Sequence, residues 1–333
     1  MPERPVVIRA GLAIIAITAV SLLFIASYAG ALHEPRPHDV PLAVEAAVPA
    51  KVSAELERSP AIHVVAKGSA AEAMEAIDTR DVYGALLARR RGLVLVVAPA
   101  AGPAVAEALK ATLPPQLRRS GVPVAVRTVH PLPEADSRGL VGFYTVVGWI
   151  VGGYLGATFL GLIFGTQPGR RHTVWRLGAL GILALLTGFG GAAVAAGIGD
   201  WSASLLSLGL VGTLTVAAVG AVTVALQSVL GLIGTGLAIL IFVVLGNPAS
   251  GGPYSAELLP GLWRAIGQLI PTGAATTALR DIAYFPDASV AGPLLVIAAW
   301  LLAGVLVALA LGQRRGPLTE DEAAASAGAA AAP

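Results

Sequence analysis

The chain has no cysteine and only three lysines (Lys51, Lys67 and Lys110), and charged residues of both signs make up just 13% of its 333 residues. The missing cysteine excludes disulfides and thiolate–metal sites. The scarcity of charge excludes an ordinary soluble domain, which carries about 25% charged residues. Hydrophobic side chains make up 56% and the mean hydropathy is +0.77, so most of the chain belongs in lipid. At a net charge of +2, with no basic block interleaved with aromatics, no nucleic-acid partner is expected. H-E-x-x-H, G-x-S-x-G and the phosphate-binding G-x-x-x-x-G-K-[ST] are all absent. Neither catalysis nor a cofactor nor a metal site is therefore expected in this chain. Arginine in place of lysine, with abundant alanine and glycine, points to a GC-rich bacterial genome.

Long apolar runs are what the chain does have. A membrane helix needs about 20 mostly apolar residues. The first candidate runs from Val6 to Leu32, too long for the apolar core of a secretory signal peptide despite the small residues Ala29-Gly30-Ala31, and it is expected to stay as an anchor. Further spans are expected at about 140–165, 177–198, 203–226, 228–246 and 289–311, with Gln227-Ser228 marking the turn inside the long run from Ala203 to Gly246. The fold class expected is thus an α-helical integral membrane protein of six spans, with an extracytoplasmic α/β domain between spans 1 and 2. Residues 1–32 form the tail and first span, 33–138 the outer domain, 139–312 the five-helix membrane domain, and 313–333 a disordered cytoplasmic tail. Arg4 and Arg9, Arg170, Arg171 and Arg176, and Arg314 and Arg315 then fall on one face. By the positive-inside rule that face is the cytoplasm, with both termini on it and the plasma membrane as the location.

Within 33–138, strands are expected at 61–68, 92–99 and 122–129. Helices are expected at 69–81, capped by Ser69, and from Pro103. Alternating strands and helices imply a layered sheet. His33, His38, His63 and His130 lie here without metal-site spacing; Glu72, Glu75 and Asp78 read as solvated carboxylates, and 88–92 as a polar turn. In the second span, Gly148, Gly152 and Gly156 stand at four-residue spacing, which lets helix backbones approach closely in lipid. No charge falls inside a span away from its ends, which argues against ion-driven exchange.

The segment 247–285 is too apolar for a free loop and too broken for a span. Leu258, Leu259, Leu262, Trp263, Ile266, Leu269 and Ile270 share one predicted helical face, Pro260 suits the first turn, and Pro271 starts a second short helix. An amphipathic or re-entrant outer cap is expected. Arg280-Asp281 reads either as part of that cap or as an exposed ion pair of small energetic weight.

The order Ser250-Gly251-Gly252, Leu259-Pro260 with Trp263, Ile270-Pro271-Thr272-Gly273, then Leu279-Arg280 with Tyr284-Phe285 resembles the signature before the last span of YhgE/Pip-like proteins, in the ABC-2 type membrane-subunit superfamily. Asp136, Arg138 and Gly139 resemble that family's Asp-x-Arg-Gly shoulder. The layout of one span, an outer domain and five spans is similar too. The resemblance covers about Met1 to Leu311. It implies a permease subunit of an exporter, working as a homo- or heterodimer and driven by ATP through a separate cytoplasmic ATPase. Gly251, Gly252, Pro260, Trp263, Pro271 and Arg280 would form the gate or outer cap. Arg170, Arg171 and Trp175, in the loop 165–176, would meet the ATPase, unless the arginines only fix topology. The chain departs from the superfamily in offering only "MPERPVVIR" where a long interfacial helix is usual. That leaves a second reading, a cell-surface receptor or envelope-assembly scaffold.

Overall fold

The computed structural model describes residues 4–313 except Ser120 and Pro168. The predicted tail, with Arg314 and Arg315, lies outside the described residues. Helix α1 (Arg4–Leu32) leads into a five-stranded sheet: β1 (Val40–Glu45), β2 (Ile62–Lys67), β3 (Gly84–Arg89), β4 (Gly92–Val97) and β5 (Val124–Thr128), in the order β2-β1-β3-β4-β5. β1 pairs in parallel with β2 and β3, β4 in parallel with β5, and β3 and β4 run antiparallel. Helices α2 (Ala50–Glu57), α3 (Ala70–Asp78) and α4 (Pro103–Arg119) make the crossovers that parallel strands require. The predicted polar turn survives as Arg90-Arg91 between β3 and β4, and Gly92 follows at a φ of 136°.

Alternation along the strands gives the sheet two apolar faces. Leu42, Val44, Leu86, Leu95 and Val97 pack with Val105, Leu109 and Leu113 of α4. Ala43, Ala85, Leu87 and Val96 pack with Ala73 and Ile77 of α3. Ser69 caps α3 as its sequence suggests, accepting from Glu72 N at 3.2 Å, while Glu72 accepts from Gly68 N at 3.1 Å. Glu72 is therefore a capping residue and not merely a solvated one.

Five helices are long and apolar enough to cross a membrane: Ile14–Leu32 within α1, α5 (Val141–Phe164), α6 (Arg170–Gly199), α7 (Leu205–Leu230) and Ala291–Gly312 within α12 (Ala291–Gln313). α7 is the centre of the bundle, with α5, α6 and α12 around it and more of its length buried than in any other candidate span. It runs on through Gln227-Ser228, where a turn was expected, and reverses at Gly231 (φ 60°), the position that needs a left-handed residue. The chain then returns along Ile233–Ala249, an apolar helix shorter than the others. That stretch joins α8 (Ile233–Ile239) to α9 (Gly246–Ala249) through a π-helical segment, Leu240–Leu245. A π turn widens the helix and loosens its own hydrogen bonds. Hydroxyls from neighbours serve carbonyls there: Thr272 donates to Phe242 O at 3.1 Å, and Ser27 donates to Val244 O.

Contacts along the bundle fix the directions of its helices. Trp149, Gly191 and Gly212 meet near the sheet domain, and Gly161, Arg176 and Gln227 meet at the far end, so α5, α6 and α7 alternate in direction. A Cβ on Gly312 would lie 2.8 Å from Thr173 Oγ1, so α12 ends where α6 begins. α1 packs on the rest near Ser27 and Ala31, which are buried, whereas Ile14, Ile17 and Leu22 are exposed.

Candidate functional site

Two helices occupy the segment read from sequence as an outer cap. Pro260, extended at φ −58° and ψ 154°, precedes α10 (Gly261–Gly267) instead of occupying its first turn. α11 (Pro271–Tyr284) starts at Pro271 itself, where a missing N–H is harmless. The turn between them is closed by backbone contact: a Cβ on Gly267 would run into Ala249 O, and one on Gly273 into Gly267 O. Trp300 of α12 adds a hydrogen bond to Leu269 O at 2.8 Å. The single apolar face expected from Leu258 to Ile270 does not form, because the helix stops at Gly267 and the chain turns. Leu258 enters the sheet domain, Leu262 and Leu269 stay exposed, and Ile270 enters the bundle.

α11 is buried along most of its length and fastens the sheet domain to the bundle. Asp281 is paired with Arg80 of the sheet domain, which also donates to Thr277 O at 3.4 Å. Arg280 is buried and donates to Gly251 O at 3.1 Å and Gly252 O at 3.3 Å. The Arg280-Asp281 step is thus no exposed ion pair: each residue has its own buried partner. Gly251 needs its φ of 78°, and a Cβ on Gly252 would strike the ring of Phe143. Burial lowers the Arg280 guanidinium to about 10, so it stays charged at neutral pH, and burial raises the Asp281 carboxyl above the usual range.

The Asp136 shoulder joins the same knot. Its Oδ1 accepts from Leu140 N at 2.9 Å and Val141 N at 3.2 Å, capping α5. Its Oδ2 accepts from the Tyr284 hydroxyl at 2.6 Å, and Trp201 Nε1 donates to that hydroxyl at 2.9 Å. On the domain side, Tyr83 donates to Glu257 Oε2 at 2.6 Å. Burial raises both phenols above their ordinary range, which keeps them as donors. Two apolar plugs complete the joint. Leu258 is 3% exposed in the core under one face of the sheet, and Phe285 is 1% exposed in the core under the other. His130 packs at a tilt against Phe285, with ring centroids 4.8 Å apart, and its Nε2 lies 2.7 Å from Asp78 Oδ1. The void left among Gly139, Phe143, Arg280 and Tyr284 is about 10 Å3, the limit for one water. The knot joins the sheet domain to the bundle.

Of the residues expected at the outer cap, Gly251, Gly252 and Arg280 meet directly, and Pro271 opens the helix that carries Arg280. Pro260 and the half-buried Trp263 stand apart from them. Arg80 and Tyr83, the partners of Asp281 and Glu257, escaped sequence reasoning, because nothing in a lone polar residue marks a partner some two hundred positions away.

At the far end the loop is only 165–169, and α6 already begins at Arg170. Arg170 and Arg171 are exposed on its first turn. Trp175 is 62% exposed on the stripe shared with Val174 and Ile182, which suits the aromatic belt at a membrane interface. Arg176 departs from expectation: it is 0% exposed inside the bundle, where it was read as a flanking residue. It donates to Ala157 O at 2.7 Å and to Gln227 Oε1, and its Nε has no partner. Gln227 in turn donates to Thr235 Oγ1 at 2.6 Å. The signal was present in the sequence, since a glutamine in the middle of hydrocarbon demands a polar partner. Gly161 makes the room: a Cβ there would sit 2.8 Å from Arg176 Nη2.

The expected helix-packing glycines divide. Gly152 and Gly156 pack α5 on Thr187 and Leu183 of α6, whereas a Cβ on Gly148 would meet nothing within 4 Å. Among the described residues no group of three or more histidines and carboxylates could hold a metal. Comparison with protein-family models, with curated proteins and with solved structures finds no match to this chain.

Proposed function

We propose that the chain is the permease subunit of an ABC-2 type exporter of YhgE/Pip-like kind, moving a lipophilic or cell-envelope-related molecule outward with energy from a separate cytoplasmic ATPase. On this reading Ile233–Ala249 makes a sixth, short crossing. The sheet domain then faces outward, both termini are cytoplasmic, and two copies or two related chains form the path. Arg170 and Arg171, exposed at the end away from the domain, fit the positive-inside rule. One observation carries the proposal. α11 packs on α7, α12 and α5 and is locked to the outer domain through Arg80–Asp281, so a rearrangement of the bundle core cannot leave the domain behind. Such a joint suits a working transporter more than a passive anchor.

The receptor or scaffold reading is favoured by the loop expected to meet an ATPase: it is short, 165–169, and Trp175 beside it is exposed on an apolar stripe, which leaves the first turn of α6 as that loop's docking surface. A mild-detergent pull-down of the tagged chain, read by mass spectrometry, separates the two. A stoichiometric ATPase that is lost when Arg170 and Arg171 are both replaced supports the exporter. Recovery of an envelope protein without any ATPase overturns it.

A further inference from the structure

α5 and α6 leave between them a groove of about 600 Å3, lined by Tyr144, Gly148 and Trp149 on one side and Gly190, Val194 and Ile198 on the other. Its size falls within the range of small-molecule pockets, about 300–1,000 Å3. The hollow exists because side chains are missing: a Cβ on Gly148 or Gly190 would meet nothing within 4 Å, although Gly152 and Gly156 farther along α5 are tightly packed. The polar atoms along its walls are largely occupied from within. Trp149 Nε1 donates to Thr187 O at 3.2 Å and Thr145 Oγ1 to Val141 O at 2.8 Å. What the trench offers is hydrocarbon, with the buried indole of Trp149 against its wall. It extends from Val141 to Trp149 along α5, ~12 Å at 1.5 Å per residue.

The end nearest the sheet domain is different. Arg138, exposed and outside the ion pairs, stands just before α5, and Asp200, also exposed, ends α6 just beyond Ile198. An apolar trench under one cation and one anion matches a chain of hydrocarbon under a zwitterionic headgroup. We propose that this groove holds an acyl chain of a zwitterionic phospholipid, with the lipid phosphate at Arg138 and its amine end toward Asp200. The inference rests on α5 and α6 lying in a membrane, and it narrows the lipophilic cargo of the proposed exporter to a lipid with such a chain. Binding itself needs no ATPase, so it stands or falls separately from export.

The test uses the purified full chain in phosphatidylcholine vesicles whose acyl chains are brominated, because bromine quenches tryptophan emission at short range and Trp149 lies against the trench wall. The quenching assigned to Trp149 is the difference between the wild-type chain and Trp149→Phe. That difference is expected to be present in the wild type and lost in Gly148→Leu and Gly190→Leu, whose Cβ atoms meet nothing within 4 Å and whose side chains enter the trench. When unbrominated phosphatidylglycerol competes, Asp200→Asn is expected to lose the preference for the brominated zwitterionic lipid, because the phosphate is common to both lipids and only the amine distinguishes them. A preference unchanged in Asp200→Asn overturns the headgroup assignment. Absence of Trp149-dependent quenching, or equal quenching in both leucine variants, overturns the proposal. So does an unquenched Trp149 with disulfide-linked dimers of Gly190→Cys, which would put a second copy of the chain in the groove.

Discussion

A carboxylate that has left water depends on its one cation far more than an exposed one does. Asp281 and Arg80 keep only 6% and 14% of their side-chain surface, while Arg264 and Asp39 keep 37% and 69%. Removing one member of a buried pair costs about 3–5 kcal/mol, and an exposed pair contributes about 0–1 kcal/mol. Arg80→Ala is therefore expected to lower the melting temperature sharply in detergent, and Arg264→Ala hardly at all. Combining Arg80→Ala with Asp281→Asn should recover part of the loss, and simple addition of the two single effects would refute the coupling. The Arg176 cluster makes a different demand. Gly161→Ala must push against Arg176 and Gln227, which are held by other bonds, so overpacking should cost about 1–3 kcal/mol in the same melting experiment. A melting point unchanged by Gly161→Ala would mean that the cluster can yield.

α11 is specified less by its proline than by the glycines around it. Pro271 holds the first helical position, where alanine serves almost as well, so Pro271→Ala should leave the fold intact and export unchanged if Pro271 only starts the helix. Gly273→Ala drives a methyl into Gly267 O and should loosen the turn, read as faster proteolysis between α10 and α11. The reverse ranking would show that proline rigidity sets the joint. The start of α11 was legible in the sequence because Pro271 announces it, and the span positions were legible because hydrocarbon runs are local signals. The turn after α7 was not, because a polar pair in an apolar run looks like a surface when its partner, Arg176, lies on another helix. β1 and β3 were missed for a related reason: Val40–Glu45 and Gly84–Arg89 take their burial from strands paired with them from elsewhere in the chain. The knot of Asp136, Tyr284 and Trp201 showed only as separate short patterns, whose meeting depends on tertiary packing.

For the molecule as a whole, the absence of cysteine gives a direct test of orientation. Arg127→Cys, on the exposed edge strand β5, is expected to react with a membrane-impermeant maleimide on intact cells. Arg171→Cys should react only after permeabilisation. The opposite pattern would invert the proposed topology, and labelling of both on intact cells would break it. The way the sheet domain is closed also imposes an order in time. Its strands are synthesised early, yet Leu258 and Phe285, which complete the cores on its two faces, emerge from the ribosome only after α5, α6, α7 and the short returning helix. The domain therefore waits, with both faces unfinished, while most of the membrane helices are being inserted. A ribosome that stops before α11 leaves behind a chain whose sheet domain lacks the residues that complete both of its cores, and quality-control proteases can recognise that chain by its open sheet.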